Sequence, residues 1–362
     1  MQNLRRAYAS KSGIAIASAS TLMLTACSVG ETVEDSSSSG QLRVMGYAGV
    51  VEQHYTEAVI EPFMEEYPDI EVEYVPSASS AEMLGTLRSE QNSPNTDVAF
   101  LDISIANTGN EEGIFQELDP EKVPNSENIE DSDSEIDGDF GPPVTFDNLV
   151  LLYNKEKISE EPTSWEALWS DEAAGEIIID GAPDLQGMSL MLILNDIEGA
   201  DYKDTVDPGI ARLAEIAPDV QSWEPTPDAY TMINNGTGAI GVGWNARAQF
   251  YADEPDSNLG VAIPEEGSVF QTNSINLVAG TEYPEAAQTF INYALSPEAQ
   301  QSFSETMYYA PANSEAELDN AVTARTATTP ERLESIIDID WNYVAEQNDA
   351  WTEVWRRDII GG

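Results

Sequence analysis

"QLRVMGYAGVVEQHYTEAVIEPFMEEYPDIEVEYVPS", residues 41–77, carries the change of period that decides the fold. "QLRVMGYAGV" reads as a strand that runs into a glycine turn. "EQHYTEAVIEPFMEEYP" then sets Tyr55, Ala58, Val59 and Phe63 at helical spacing, and Pro68 stops the helix. "DIEVEYVPS" alternates as a second strand. Further along, "AEMLGTLRSEQ" (81–91) reads as a helix and "TDVAFLD" (96–102) as a third, more buried strand. Strand, helix, strand, helix, strand implies a parallel sheet with covering helices.

A second series follows the acidic loop "NSENIEDSDSEIDGDFGPP" (125–143). Strands are expected at "VTFDNLVLLYN" (144–154), "EIIIDGAP" (176–183), "GAIGVGW" (238–244), "LGVAIPEEG" (259–267) and "SINLVAG" (274–280). Helices are expected at "SWEALWS" (164–170), "LQGMSLMLILNDI" (185–197), "IARLAEIA" (210–217) and "PDAYTMINNG" (227–236). "YPEAAQTFINYALSPEAQQSFSETM" (283–307) reads as two helices, with Pro297 in the first turn of the second. The last thirty residues look helical and hold Trp341, Trp351 and Trp355, which are expected to pack those helices. No internal repeat is present. The expected fold is α/β, two lobes with the chain crossing between them more than once.

Upstream of this body, Arg5, Arg6 and Lys11 precede an apolar, Ala- and Ser-rich run over residues 13–26. The run is short of the roughly 20 apolar residues that span a bilayer, and residues 1–26 read as a secretory signal. It ends in "LTAC", and Cys27 is the only cysteine of the 362 residues. "SVGETVEDSSSSG" after it reads as a flexible spacer with nothing to bury. One cysteine allows no intrachain disulfide, so packing must hold the body together. The remaining length suits two ordinary domains. "LTAC" looks like the lipobox of bacterial lipoproteins. That resemblance implies cleavage before Cys27, a lipid on its thiol, and a body held outside the cytoplasm by a tether over residues 27–40.

The formal charge is −51, and without the leader 12 Lys and Arg face 66 Asp and Glu, a charge of −54. Phosphates would be repelled, which speaks against a nucleic-acid partner. The acids are spread along the whole chain, as expected of a surface solvated for a salty medium, where charge is screened within a few Å. A field that steers cationic ligands is the competing account.

Catalytic sets are scarce. His54 is the only histidine, so any Ser-His-Asp triad must use it, and it sits among Glu52, Glu57 and Glu61 as a solvated helix residue. One histidine and one cysteine make no zinc site, and no phosphate loop occurs. "DSDSEIDGDFGP" departs from the EF-hand pattern, since Val144 stands where a bidentate Glu is needed. No catalytic residue, metal or cofactor is assigned. A secreted hydrolase using a carboxylate pair is the rival from another class.

Several stretches together resemble the solute-binding proteins of ABC importers, in particular the spermidine/putrescine-binding branch. They are residues 145–181, "GAIGVGWNARAQF", "VAIPEEGSVFQTNSINLVAG", "AAQTFINYALSPEAQQSFSETMYYAPAN" and "DWNYVAEQNDAWTEVWRRDI", in order over roughly 145–358. The resemblance implies the type II periplasmic-binding-protein fold. Two α/β lobes are joined by crossing strands and close on a ligand before docking on the permease. It implies a first lobe over 41–145 plus 274–310, a second over 146–273 plus 311–362, a hinge near Thr145 and Asn273, and a monomer.

The resemblance also implies a site. Trp244 and Tyr309 match cleft aromatics, and Asp184 falls where the family has an amine-binding Glu. Asn342 matches a polar amide and Asp102 a first-lobe polar contact. Gln271 and Asn273 stand where polyamine binders show a tryptophan and an aspartate. Gly181, beside Asp180, replaces another acid, and the first loop lacks the usual Trp-Thr pair. Amides accept from an ammonium without adding charge. The implied ligand is a polyamine or related amine, with a zwitterionic or neutral solute as the alternative.

Overall fold

Parallel pairing begins at the first residue described. In the computed structural model of the chain, which describes residues 40–129 and 140–361, β1 (Gly40–Tyr47) and β2 (Ile70–Ser77) run in register from Gly40↔Ile70 to Tyr47↔Ser77. β3 (Val98–Asp102) joins β1 in parallel on its other side. The helical run between β1 and β2 passes through Val50–Tyr55, a π-turn at Thr56–Ile60 and Glu61–Glu66. Pro62 has no N–H to give the preceding turn. The π-turn, closed by Glu61 N–H on Thr56 C=O, widens the helix just ahead of it. Tyr55, Ala58, Val59 and Phe63 are buried, as their spacing predicts.

His54 departs from expectation. Its side chain is only 15% exposed, and its ring lies 5.1 Å from that of Phe250, because the helix Asn245–Ala252 packs alongside.

β4 (Pro143–Asn154), buried at every position, links the two halves. Its first half pairs antiparallel with β9 (Phe270–Leu277), which lies against β3. Its second half pairs with β7 (Ile240–Trp244) and β8 (Leu259–Ala262). β5 (Ile177–Ile178) continues in parallel from β7, and β6 (Val220–Ser222) from β5. The strand order is β2-β1-β3-β9-β4-β7-β5-β6, with β8 and the two-residue β10 (Ala310–Pro311) also on β4.

Two large cores lie on either side of the crossing. One gathers Leu42, Phe63, Phe100, Ile275, Phe290 and Phe303. The other gathers Leu149, Trp165, Leu190, Val242, Trp351 and Trp355. The C-terminal tryptophans thus belong to the second core, where they pack the helix Trp341–Trp355. Within residues 311–362, assigned from sequence to the second lobe, Ala312 and Ala327 pack on Phe146 and Phe270 of the crossing strands.

Local differences have local causes. "EIIIDGAP" shrinks to a two-residue strand, Ile177–Ile178, where the pairing with β6 shifts register, although Ile179 and Gly181 N–H still reach the C=O groups of Ser222 and Trp223 at 3.1 and 2.9 Å. "SWEALWS" makes one 3-10 turn, Trp165–Trp169. The helix Ile103–Glu111 carries few apolar residues and was not expected. The signal, Cys27, the tether and most of the acidic loop lie outside the described residues.

Candidate functional site

Loops at the carboxyl ends of parallel strands are where α/β folds gather ligand groups. In the first half these ends present Tyr47 after β1 and Asp102 after β3. In the second half, 180–184 follow β5, 223–228 follow β6, and Trp244 ends β7. The crossing strands lie between. Strand alternation puts Thr145 and Asp147, with their register partners Asn273 and Gln271, on one face.

Asn273 is central to the first polar group. It is 2% exposed, its Oδ1 accepts from Tyr47 OH at 2.9 Å, and its Nδ2 donates to Thr145 Oγ1 at 3.1 Å. Tyr47 OH also lies 2.7 Å from Ser80 Oγ, which accepts from the N–H of Asp102 at 3.0 Å. Asp102 Oδ2 accepts from Gln271 Nε2 at 3.4 Å, while Oδ1 caps the helix Ile103–Glu111 through Ser104 N–H at 3.0 Å. Loss of solvent pushes the Asp102 carboxyl up, and the bonds from Ser104 and Gln271 pull it partly back. Asp102, Gln271 and Asn273 are therefore brought together, and Tyr47 and Ser80, which sequence reasoning missed, complete the group.

A second group surrounds Asp147, the one acid in the fully buried strand β4. Burial pushes its carboxyl up to about 8, against the opposing pull of Ala246 N–H at 3.0 Å and the nearby charge of Arg247. Tyr309 stacks on Phe303 with ring centres 5.3 Å apart. Burial raises its hydroxyl, with Asp147, Arg247, Tyr47 and Tyr230 as its charged and polar neighbours. Arg247 itself is exposed, its guanidinium 5.8 Å from the centre of the Tyr230 ring. Among the described residues it makes no hydrogen bond or ion pair through its side chain. Asp147 and Arg247 were also missed. The signal for one was a single acid in a strand that reads as buried on both faces, and for the other a cation in a chain where 66 Asp and Glu outnumber 15 Lys and Arg.

The third group is acidic. Asp180 and Asp184 line a cavity of about 520 Å³, with Trp223, Thr226 and Ile360 on its walls. Burial, then the charges of Asp184 and Asp228, push Asp180 up to about 7. The protein around Asp184 raises its carboxyl too, although Oδ1 accepts from Gln186 N–H at 2.8 Å and so caps the helix Leu185–Ile197. Gly187 lets that helix approach the carbonyl of Asp180. A Cβ at Gly181 would lie 3.3 Å from Trp355 Nε1 and 3.4 Å from Trp223 Cβ. The two indoles occupy the space in which an acid at 181 would have to fit.

Trp244 is half-buried against the second core, and its N–H donates to Tyr230 OH at 2.7 Å. Asn342 is not with these groups in its bonding. Its Oδ1 accepts from Asn107 Nδ2 at 3.2 Å, where the helix Trp341–Trp355 meets the helix Ile103–Glu111. Among the described residues, no cluster of three or more His, Cys, Asp and Glu could hold a metal, and no helix is long and apolar enough to cross a membrane. Tyr230 lies within electrostatic reach of Arg247, Asp147 and Asp180, and Tyr309 within reach of Asp147, Arg247 and Tyr47. Carboxylates that can accept from an ammonium, aromatic faces and a guanidinium without an ion pair among the described residues are therefore neighbours.

The chain is similar to known proteins in sequence and fold. The family described as bacterial extracellular solute-binding protein matches residues 58–330. The spermidine/putrescine-binding periplasmic protein of Escherichia coli is 24% identical over 68% of this chain and 72% of its own. The gamma-aminobutyric acid-binding protein of Pseudomonas aeruginosa is 25% identical over 67% of this chain and 69% of its own. A crystal structure of an ABC transporter from Clostridium perfringens superposes with a TM-score of 0.70 at 27% identity, covering 88% of this chain and 99% of that one.

Proposed function

The chain belongs to the bacterial extracellular solute-binding protein family, and we propose that it captures a small amine that also carries a carboxylate. As a member of this non-catalytic family it is the solute-binding component of an ABC importer, acts outside the cytoplasm, and holds a small molecule between two lobes. The finer reading rests on one observation. In a chain of net charge −51, Arg247 stands beside Tyr230 without an ion pair among the described residues, with Asp228 close enough to act on its charge. Asp180 and Asp184 take the ammonium, and Arg247 takes the carboxylate through charge-assisted hydrogen bonds. Tyr309, Trp244 and Tyr47 supply faces for the carbon chain between.

A polyamine is the second reading, favoured by the acids Asp102, Asp180 and Asp184. It leaves Arg247 unused, and the amides of Gln271 and Asn273 give a dication no charge. The lipid anchor at Cys27, the lobe limits at 145/146, 273/274 and 310/311, and a monomeric state belong to the same proposal. The two-lobed reading makes β4 and β9, with Thr145 opposite Asn273, the hinge.

A thermal-shift screen of the full chain at low and high salt tests it. The probes are γ-aminobutyrate, longer ω-amino acids, putrescine and spermidine. A ligand at 100 times its dissociation constant stabilises by about 2.7 kcal/mol. A shift with ω-amino acids that is lost in Arg247→Gln supports the reading. A shift with putrescine alone overturns it in favour of the polyamine.

A further inference from the structure

The crossing strands have a second face. Alternation turns Phe146 and Phe270 away from Asp147 and Gln271, and the two rings stack with centres 5.2 Å apart and 22° between planes. They floor a cavity of about 610 Å³. Small-molecule sites generally occupy about 300–1,000 Å³ and pair apolar walls with a few polar groups. Here Leu318, Leu333 and Ile336 provide the apolar walls, and Asn313, Thr328 and Asp338 the polar groups. Leu333 is 40% exposed, more than any other large apolar side chain among the described residues except Ile360.

The two walls are fastened to different halves of the molecule. Asn313 is tied to the first, with its N–H on Gln300 Oε1 and its Nδ2 on Leu295 C=O, both at 2.7 Å. Ser314 N–H adds a bond to Asn128 C=O at 2.9 Å. Ile336 is tied to the second, bridging Ser268, while Ile337 N–H donates to Ser268 C=O at 2.8 Å. Ser268 Oγ in turn donates to Leu149 C=O at 2.8 Å, at the edge of the second core. Any rotation of one half against the other changes the distance between these walls.

We propose that this cavity is a second small-molecule site, on the far side of the crossing strands from the acidic groups, and that its occupancy is coupled to the cleft. Its ligand is a monoamine with a compact apolar or aromatic body. The body rests on the Phe146–Phe270 floor. The ammonium faces the Asp338 carboxylate, which makes no hydrogen bond or ion pair among the described residues. A molecule that holds the walls at one separation favours one lobe angle, so it and the cleft solute alter each other's affinity by the same factor. The location of the site stands on its own. The coupling rests on the cleft being where the solute binds.

The probe is 1-naphthylmethylamine, followed by its fluorescence on the full chain. Leu333→Lys puts a like charge at the mouth without disturbing a buried position, and Ala316→Trp fills the cavity from its rim. Each is expected to weaken binding at least 10-fold while Asp180→Asn does not. A saturating cleft solute is expected to change the probe's dissociation constant at least 3-fold. No binding by folded protein, unchanged binding in both cavity variants, or no effect of the cleft solute overturns the proposal. Binding lost in Asp180→Asn but kept in Leu333→Lys places the probe in the cleft, which overturns the second site and leaves the proposed function standing.

Discussion

Asn273 Nδ2 donates to Thr145 Oγ1 at 3.1 Å, fastening the two crossing strands to each other on the side that faces the polar groups. The same amide accepts from Tyr47 OH at 2.9 Å, so one side chain ties both strands to the end of β1. Asn273→Asp removes the Nδ2 donor and buries a charge near Asp102. Burying a charge without a partner is costly. The melting temperature at pH 7 is expected to fall by about 2–6 °C for a body of this size. Circular-dichroism melts check this. If the solute is a dication, its shift in the variant grows even as the free protein weakens.

Arg247→Gln removes the only cation that contacts the proposed carboxylate. Hydrogen bonds to charged groups are worth about 1.5–3 kcal/mol, so the affinity for an ω-amino acid is expected to drop by about 10–100-fold. Isothermal titration gives the number. The same variant binds putrescine no more weakly than wild type, because it has lost only a repulsive charge.

Burial, with the charges of Asp184 and Asp228, pushes the Asp180 carboxyl up to about 7 in the free protein. An ammonium ligand favours its ionised form, so binding below that pH releases a proton. Affinity for the amine is expected to rise by up to about 10-fold per pH unit below 7 and to level off above it. Asp180→Asn flattens that slope. Calorimetry between pH 5 and 9, in buffers of different ionisation heat, reads both the slope and the proton count. A wild-type slope as flat as that of the variant would remove Asp180 from the ammonium site.

Asp147 lowers stability in the opposite direction of pH from a paired carboxylate. Its folded value of about 8 stands far above the usual 3.9 or so of an unfolded aspartate. The folded state therefore holds a proton that the unfolded state has lost between these values. Its contribution to stability falls as pH rises through that window and is constant above it. Asp147→Asn is expected to gain more melting temperature over wild type at pH 8 than at pH 5, by about 5–10 °C. Scanning calorimetry at both pH values decides it, and an equal difference at the two would mean that Asp147 is ionised in the folded protein throughout.

Much of the architecture was readable because burial writes itself into local period. The stretch 41–77 showed its strand, helix and strand by alternation and helical spacing, and "VTFDNLVLLYN" showed a strand buried on both faces. The helix Ile103–Glu111 was not readable, since its end is set by the Asp102 cap and its packing by neighbours distant in sequence. His54 misled for the same reason. Its charged neighbours on the helix suggested water, while Phe250, nearly two hundred residues on, covers its ring.

The site divides in the same way. From sequence come the cation-poor composition and the lack of a recognisable catalytic set, and the resemblance nominated Asp102, Asp180, Asp184, Trp244, Gln271, Asn273, Tyr309 and Asn342 as candidates. Tertiary structure alone decided that Asp102, Gln271 and Asn273 share one hydrogen-bonded group with Tyr47 and Ser80, and that Asn342 bonds Asn107. It also decided that Arg247 lies beside Tyr230 without an ion pair among the described residues and that two tryptophans crowd the position of Gly181. Local period records which face of an element is buried, because that depends on the next few residues. Which side chains meet, and which charge is left without a partner, depends on strands brought together from more than a hundred residues apart, and no local pattern carries that information.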